Sequence, residues 1–303
     1  MKGNIRDEFI KEYSRSRIIS DTSLNSLLNR VEKIEKTKGK GIIYFSDAEI
    51  LDMYKSFDLT SVDTLQNYNN YLKAYCDFII YKSKKGENKF SNINKDMLKK
   101  CINEDIRKNK YISYEQLQDI EMELLNFVDS AILECLWQGI SGKELTDLTY
   151  LERSQVNKKK MEITLNSGRA IKIHPRLYEL LDKAFDEVEY MCYGEDIKVK
   201  RVDGKNKLYK VRDNAYKDTS EVRFRWVYRK IMIIRDYVGL PNMSMKSLQG
   251  SGMLHYIKEG MEKLNCGLRE FLHTDDGIRV MEQYGFTNAN RVNTVYDKFE
   301  EYV

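Results

Sequence analysis

A chain of 303 residues, 42% hydrophobic and 32% charged, is long enough for two domains with separate cores and too apolar to remain disordered. Net charge is only +4, and neither an N-terminal apolar stretch nor a membrane-length run occurs. A secreted or membrane-spanning protein is therefore not expected, and the cytoplasm is the expected compartment.

Only Pro175 and Pro241 interrupt the chain, which favours long helices. In the first 40 residues Leu24, Leu27, Leu28, Val31 and Ile34 follow the spacing of an amphipathic helix. Ser46-Asp47-Ala48-Glu49 reads as a capping box opening a helix through Ile50, Leu51, Met53 and Tyr54. Thr60-Ser61-Val62-Asp63 introduces a longer helix over 64–81, with Leu65, Tyr68, Leu72, Tyr75, Phe78 and Ile79 on one side. A polar loop over 82–89 closes it, and a short helix over 95–102 follows. The charged stretch 104–110 reads as a linker, dividing a helical domain at 1–108 from a second domain at 109–303.

Beyond it Ser113-Tyr114-Glu115-Gln116 starts a helix, and 122–136 is apolar enough to lie at the centre of a core. Met161, Ile163 and Leu165 alternate, Asn166-Ser167-Gly168-Arg169 marks a turn, and Ile171 and Ile173 alternate again: a β-hairpin. Helical spacing returns over 177–191, with Leu180, Leu181, Ala184, Phe185 and Val188 inward. The polar stretch 194–217 has room for short strands, and helices resume at 220–237 and run to the end. The expected class is mainly α with a small β-sheet.

Residues 198–235 carry thirteen Lys/Arg against four Asp/Glu, so the positive charge is concentrated there and the remainder is net acidic. Nucleic acid or another polyanion is the partner such clustering suggests; the alternative is a solvated basic face. The five cysteines are scattered, with Cys76 and Cys135 in apolar helical surroundings. His174, His255 and His273 are far apart without ligand-spaced partners, so no metal is expected, and no nucleotide motif announces a cofactor.

Residues 137–148 read W-Q-G-I-S-G-K-E-L-T-D-L. This resembles the first signature box of tyrosine recombinases (phage integrases), where an apolar helix runs into G-x-R-x-x-E-L. Gly139, Glu144 and Leu145 fit the box, and Ser141 stands where the box has arginine. In detail the chain is similar to the MrpR/YopR family of integrase-like master repressors of SPbeta-type Bacillus prophages. Tyr44-Phe45-Ser46-Asp47-Ala48-Glu49-Ile50, Thr64-Leu65-Gln66-Asn67-Tyr68 and Leu72-Lys73-Ala74-Tyr75 carry the likeness in the first domain. The resemblance covers nearly all the chain. It implies a two-domain tyrosine-recombinase-like architecture, a helical core-binding domain plus a degenerate catalytic domain, forming a C-shaped clamp.

It also implies what the site would need. In that family a tyrosine attacks a phosphodiester, two arginines neutralise the phosphate, a hairpin lysine and histidines assist proton transfer. Here Ser141 replaces the first arginine and Asn166 stands near the hairpin lysine, with Lys172 a few residues on. Lys246-Ser247-Leu248-Gln249 resembles the H-x-x-R box, so Gln249 replaces the second arginine; Tyr296 falls at the nucleophile position of the last box, with Phe286 where His or Trp is usual. A competing register uses His273 and Tyr284. At roughly 3 kcal/mol per lost donor, two missing arginines remove about four decades of rate. No enzyme activity is expected.

For DNA contact, Arg223, Arg225, Arg229 and Lys230 lie on the 220–237 helix, which in the resembling family faces the major groove. A surface helix paired with the acidic 179–189 helix is the bland alternative. In the first domain Gln66, Asn67, Asn69, Asn70 and Lys73 offer amides and a cation. Lys82, Lys84, Lys85, Lys99, Lys100, Arg107, Lys108, Lys110 and Lys158-Lys159-Lys160 suit phosphates. The expectation is a repressor that holds a double-stranded DNA operator in the bacterial nucleoid and maintains lysogeny. A protein or peptide antagonist and self-association on DNA stay open, and no membrane partner is expected. The alternatives are a divergent active recombinase using Tyr296 and a protein-interaction module that has lost DNA contact.

Overall fold

The computed structural model describes residues 5–16, 21–59, 61–194, 198–210 and 218–303, with the side chains at 14–16, 21–22 and 106–107 outside the description. The chain divides into two compact units, Met1–Lys108 and Asn109–Val303.

The first unit is helical: α1 (Ile5–Ser16), α2 (Asp21–Lys38), α3 (Asp47–Lys55), α4 (Val62–Ser83), α5 (Lys95–Lys99) and α6 (Glu104–Lys108). Both arms of the expected capping box start α3, Ser46 Oγ accepting from the Glu49 N–H and the Glu49 carboxylate accepting from the Ser46 N–H. Leu24, Leu27, Leu28 and Val31 of α2 pack with Ile50, Met53 and Tyr54 of α3 and Leu65, Leu72 and Cys76 of α4. The stretch read as a linker is partly helical, since α6 occupies 104–108.

The second unit opens with α7 (Tyr114–Glu123) and α8 (Phe127–Trp137). The apolar helix expected over 122–136 is thus broken. Asn126 leaves helical geometry and its amide bonds the Met191 N–H and carbonyl at 2.7 and 2.9 Å, pairing like a strand residue. Met122 falls outside the core at 72% exposed, while Val128 to Trp137 are all buried. After α9 (Thr146–Thr149), strands β1 (Val156–Asn157), β2 (Glu162–Thr164) and β3 (Ala170–Lys172) form an antiparallel sheet in that order, with the β2–β3 hairpin pairing Ile163 with Ile171.

Helix α10 (Pro175–Asp186) packs on α8 but stops five residues short of expectation. The reason is long-range: the Glu187 carboxylate accepts the Phe127 and Val128 N–H groups at 3.0 and 2.9 Å, capping α8. The chain then leaves as β4 (Glu189–Cys192), paired antiparallel with β5 (Lys198–Arg201), and Val188 is exposed rather than inward. Helices α11 (Ser220–Tyr237), α12 (Met245–Leu264), α13 (Leu268–Leu272), α14 (Asp275–Gln283) and α15 (Arg291–Phe299) complete the unit. Met253, Ile257, Phe271, Leu272, Met281, Val295 and Phe299 form a core among the last four. No helix among the described residues is long and apolar enough to cross a membrane.

Candidate functional site

The end of α8, the hairpin turn, α12 and the end of α14 meet around Trp137–Gly139. The Tyr284 hydroxyl donates to the Trp137 carbonyl, and Gln283 Nε2 donates to the Gln138 carbonyl at 2.7 Å. Gly139 sits at φ +76, and a Cβ there would lie 2.9 Å from the Gln283 carbonyl oxygen, so glycine is required by both backbone and space. Arg169 reaches across from the hairpin turn, donating to the Glu282 carbonyl and, at 3.4 Å, to the Gln283 carbonyl. A cation on the last carbonyls of α14 complements the helix dipole. Sequence inspection assigned this arginine only to a turn.

The residues expected from sequence at the recombinase boxes are placed as follows. Ser141 is half-buried, and its carbonyl accepts the Asp147 N–H at 3.1 Å. Asn166 is exposed and accepts from Gln155 Nε2 at 3.0 Å. Lys246 is exposed and Gln249 half-buried in the first turns of α12. No described hydrogen bond or ion pair joins Ser141, Asn166, Lys246, Gln249, Phe286 and Tyr296 to one another.

The two tyrosine registers differ in their surroundings. The Tyr284 hydroxyl is tied to a main-chain carbonyl, and burial pushes its pKa well above the ordinary value, which opposes the phenolate a nucleophile needs. Tyr296 packs half-buried beside the last core, with the Arg269 guanidinium 5.2 Å from its ring centroid. That guanidinium donates to Asn293 Oδ1 at 3.0 Å and lies over the ring. His273, the partner of Tyr284 in its register, is exposed at the end of α13.

Beneath the box lies a buried polar network. Glu134 Oε1 accepts from Gln138 Nε2 at 2.6 Å, Gln138 Oε1 accepts the His174 N–H at 3.0 Å, and Arg176 Nε donates to Glu121 Oε2 at 3.0 Å. Glu121 Oε1 and Glu134 Oε2 are buried without a hydrogen-bond partner, and the two carboxyls act on each other across the network. Burial first, then mutual repulsion, raises the Glu121 pKa, and burial raises that of Glu134. A carboxyl raised above its unfolded value near 4.5 holds a proton that the unfolded chain releases. Stability from it is therefore full below about pH 4.5 and declines as pH climbs through the raised pKa. Each tenfold change in proton affinity is worth about 1.4 kcal/mol. Glu134→Gln, which removes one of the two buried carboxyls and its repulsion of Glu121, should flatten that decline. Urea midpoints measured from acid to alkaline pH check this, and an unaltered slope in the variant would count against a raised carboxyl pair.

Two cations expected at DNA require correction. Arg223 is 8% exposed: its Nε donates to Asp218 at 2.7 Å, its second amine also meets Asp218, and Nη1 donates to the Thr149 carbonyl at 2.8 Å. Its guanidinium stacks on Tyr150 and Tyr209. Lys230 is 7% exposed, with Nζ 2.8 Å from Asp129 Oδ1 and 3.2 Å from the Tyr190 ring centroid. Both cations face inward because α11 turns positions 223, 227, 230, 231 and 234 to the core. Arg225 and Arg229 remain exposed on the opposite face, Arg225 paired with Glu221.

In the first unit Asn67, Asn70 and Lys73 lie exposed along α4, spaced three apart on one face. Asn69, named with them from sequence, is internal: it accepts from the Tyr54 hydroxyl at 2.9 Å and donates to the Phe90 carbonyl at 3.2 Å. Lys84, Lys85, Lys108 and Lys158 are exposed, Lys84 and Lys158 lying over Tyr81 and Tyr178. The side chain of Arg107 lies outside the described residues. Among those described, no group of three His, Cys, Asp or Glu gathers as metal ligands.

The two units follow the layout of tyrosine recombinases, a core-binding domain ahead of a domain of the catalytic type. Residues 2–82 match the family model of the MrpR N-terminal core-binding domain, and residues 111–301 match that of the MrpR C-terminal catalytic domain. The chain belongs to the MrpR family. It is 28% identical over 154 residues to the SPbeta prophage-derived uncharacterized protein YopR of Bacillus subtilis (strain 168), covering 50% of this chain and 46% of that protein. The chain thus spans about half the length of the curated relative it matches. Among solved structures it is similar to a lambda integrase (75–356) dimer bound to a COC' core site, with TM-score 0.45 and 13% identity over 92% of this chain and 94% of the other. The XerA recombinase gives 0.38 and 13% over 98% of each.

Proposed function

We propose that this protein binds a specific DNA operator and represses transcription from it, maintaining prophage lysogeny without cutting the duplex. What carries the reading is chemical: by motif resemblance Ser141 and Gln249 fall where the recombinase boxes have arginine, in a chain that matches the core-binding and catalytic domain models of its family. Neither side chain can neutralise a pentavalent phosphate. The Tyr284 hydroxyl and the Arg169 guanidinium are also engaged with backbone carbonyls rather than free for phosphate chemistry. The prophage origin printed for the YopR relative supports the lysogeny setting.

On this reading Arg225 and Arg229 contact DNA from α11, Asn67, Asn70 and Lys73 contact it from α4, and Lys84, Lys85, Lys108 and Lys158 meet phosphates. Arg225→Ala with Arg229→Ala should weaken operator binding by about 1–3 kcal/mol per base contact, or reduce the salt slope by about 0.9 per phosphate contact. Operator fragments recovered from genomic DNA with the purified chain supply the duplex for the titration. Unchanged binding in the double variant would remove α11 from the interface. The position of Arg269 over Tyr296 favours a second reading, a divergent strand-cleaving recombinase. A nicked operator duplex that traps covalent intermediates separates the two: no adduct is expected, and an adduct lost in Tyr296→Phe would establish cleavage.

A further inference from the structure

We propose that Lys110, Lys246 and Lys298 of the second unit form a phosphate-binding site beside the aromatic cluster of Tyr111, Phe286 and Phe299. Lys298, on α15, has its Nζ 4.8 Å from the Phe299 ring centroid and 5.4 Å from that of Phe286. The Phe299 ring meets Tyr111 at 5.5 Å, and Lys110 Nζ lies 5.2 Å from the Tyr111 centroid. Two ammonium groups therefore face one aromatic pair, and Lys246, in the first turn of α12, directly precedes Ser247, which lines a cavity together with Lys110 and Tyr111. That cavity, of about 340 Å³, opens beside Lys110 and also takes Ser251 into its lining.

Three lysines with long, flexible stems ordinarily separate and stay solvated. Here Lys110 and Lys298 are half-buried, and none of the three pairs with a carboxylate among the described residues. Burial, then repulsion from Lys110 and Lys246, holds the Lys298 ammonium down at about 8. Aromatic faces attract the two cations but offset little of that repulsion. An anion between them offsets it directly, and a tetrahedral phosphate offers several acceptors to ammonium donors converging from α12, α15 and the segment ahead of α7. Such a group comes either from a DNA backbone or from a free phosphorylated molecule. Only the first source rests on the DNA reading above.

Calorimetric titration of inorganic phosphate into the 303-residue chain tests the site. Lys298→Gln and Lys110→Gln should each weaken phosphate at least about tenfold, with Lys298→Arg retaining most of the affinity and melting temperatures reporting that each variant is folded. Binding of a short random-sequence duplex across salt concentrations identifies the source. If the DNA backbone occupies the site, Lys110→Gln/Lys246→Gln/Lys298→Gln lowers the salt slope by up to about 0.9 per lysine. If a free phosphate ligand occupies it, the slope stays and only phosphate affinity falls. A triple variant matching wild type in both measurements overturns the site. Absence of any duplex binding by wild type, with phosphate affinity still lost in the variants, sinks the DNA reading and leaves the site standing.

Discussion

Asp129→Ala is expected to cost the second unit about 3–5 kcal/mol, the range for removing one member of a buried ion pair. The Asp129 carboxylate is fully buried on α8 and takes four donors: Lys230 Nζ at 2.8 Å, the Tyr193 and Tyr190 hydroxyls at 2.8 and 2.9 Å, and Asn126 Nδ2 at 3.2 Å. It thereby joins α8, α11 and the β4 hairpin at one point. Truncation strands the Lys230 ammonium, whose pKa burial already depresses against the pull of Asp129. It also strips two half-buried phenols of their acceptor. Lys230→Met should cost less, because the carboxylate keeps three neutral donors, and the double variant should cost less than the two single costs added. Urea unfolding of the three variants measures the cycle; strict additivity would show that the pair is not coupled. The same Lys230→Met chain separates an internal rivet from a DNA contact, since its duplex salt slope should match wild type while that of Arg229→Met falls.

Gly252→Ala is expected to cost about 3 kcal/mol or more, combining overpacking with disruption of a buried hydrogen bond. A Cβ at this position would collide with the Trp137 carbonyl oxygen and lie 2.7 Å from the Tyr284 hydroxyl. The opposing atom is backbone, so a rotamer change gives no escape and α12 must move off α8. That carbonyl is the one that accepts the Tyr284 hydroxyl. The substitution therefore also releases the end of α14 from the first box. Tyr284→Phe combined with Gly252→Ala should be less damaging than the added single costs. Thermal unfolding of the set is the measurement, and a Gly252→Ala chain as stable as wild type would show that the two helices do not meet at backbone distance.

Legibility in the sequence followed the range of each interaction. The Ser46–Glu49 box and the 162–172 hairpin were readable because their partners lie within a few residues of one another. The spacing of Leu24, Leu27, Leu28 and Val31 placed the buried face of α2 for the same reason. The ends of α8 and α10 were misplaced, since Glu187 and Asn126 act on segments sixty or more residues away. Arg223 and Lys230 looked like their neighbours Arg225 and Arg229 until burial distinguished them. Lys298 carried no local signal at all, because what sets it apart is the company of Lys110 and Lys246.

The amino-acid order by itself determined helix and hairpin periodicity, because this depends on residue identity and on neighbours within about one helical turn. Tertiary structure alone decided which cations face inward, which tyrosine hydroxyl is clamped by a carbonyl, and which lysines repel one another. Whether a charge is solvated, paired or crowded depends on distance in space and on burial, and chain separation carries neither.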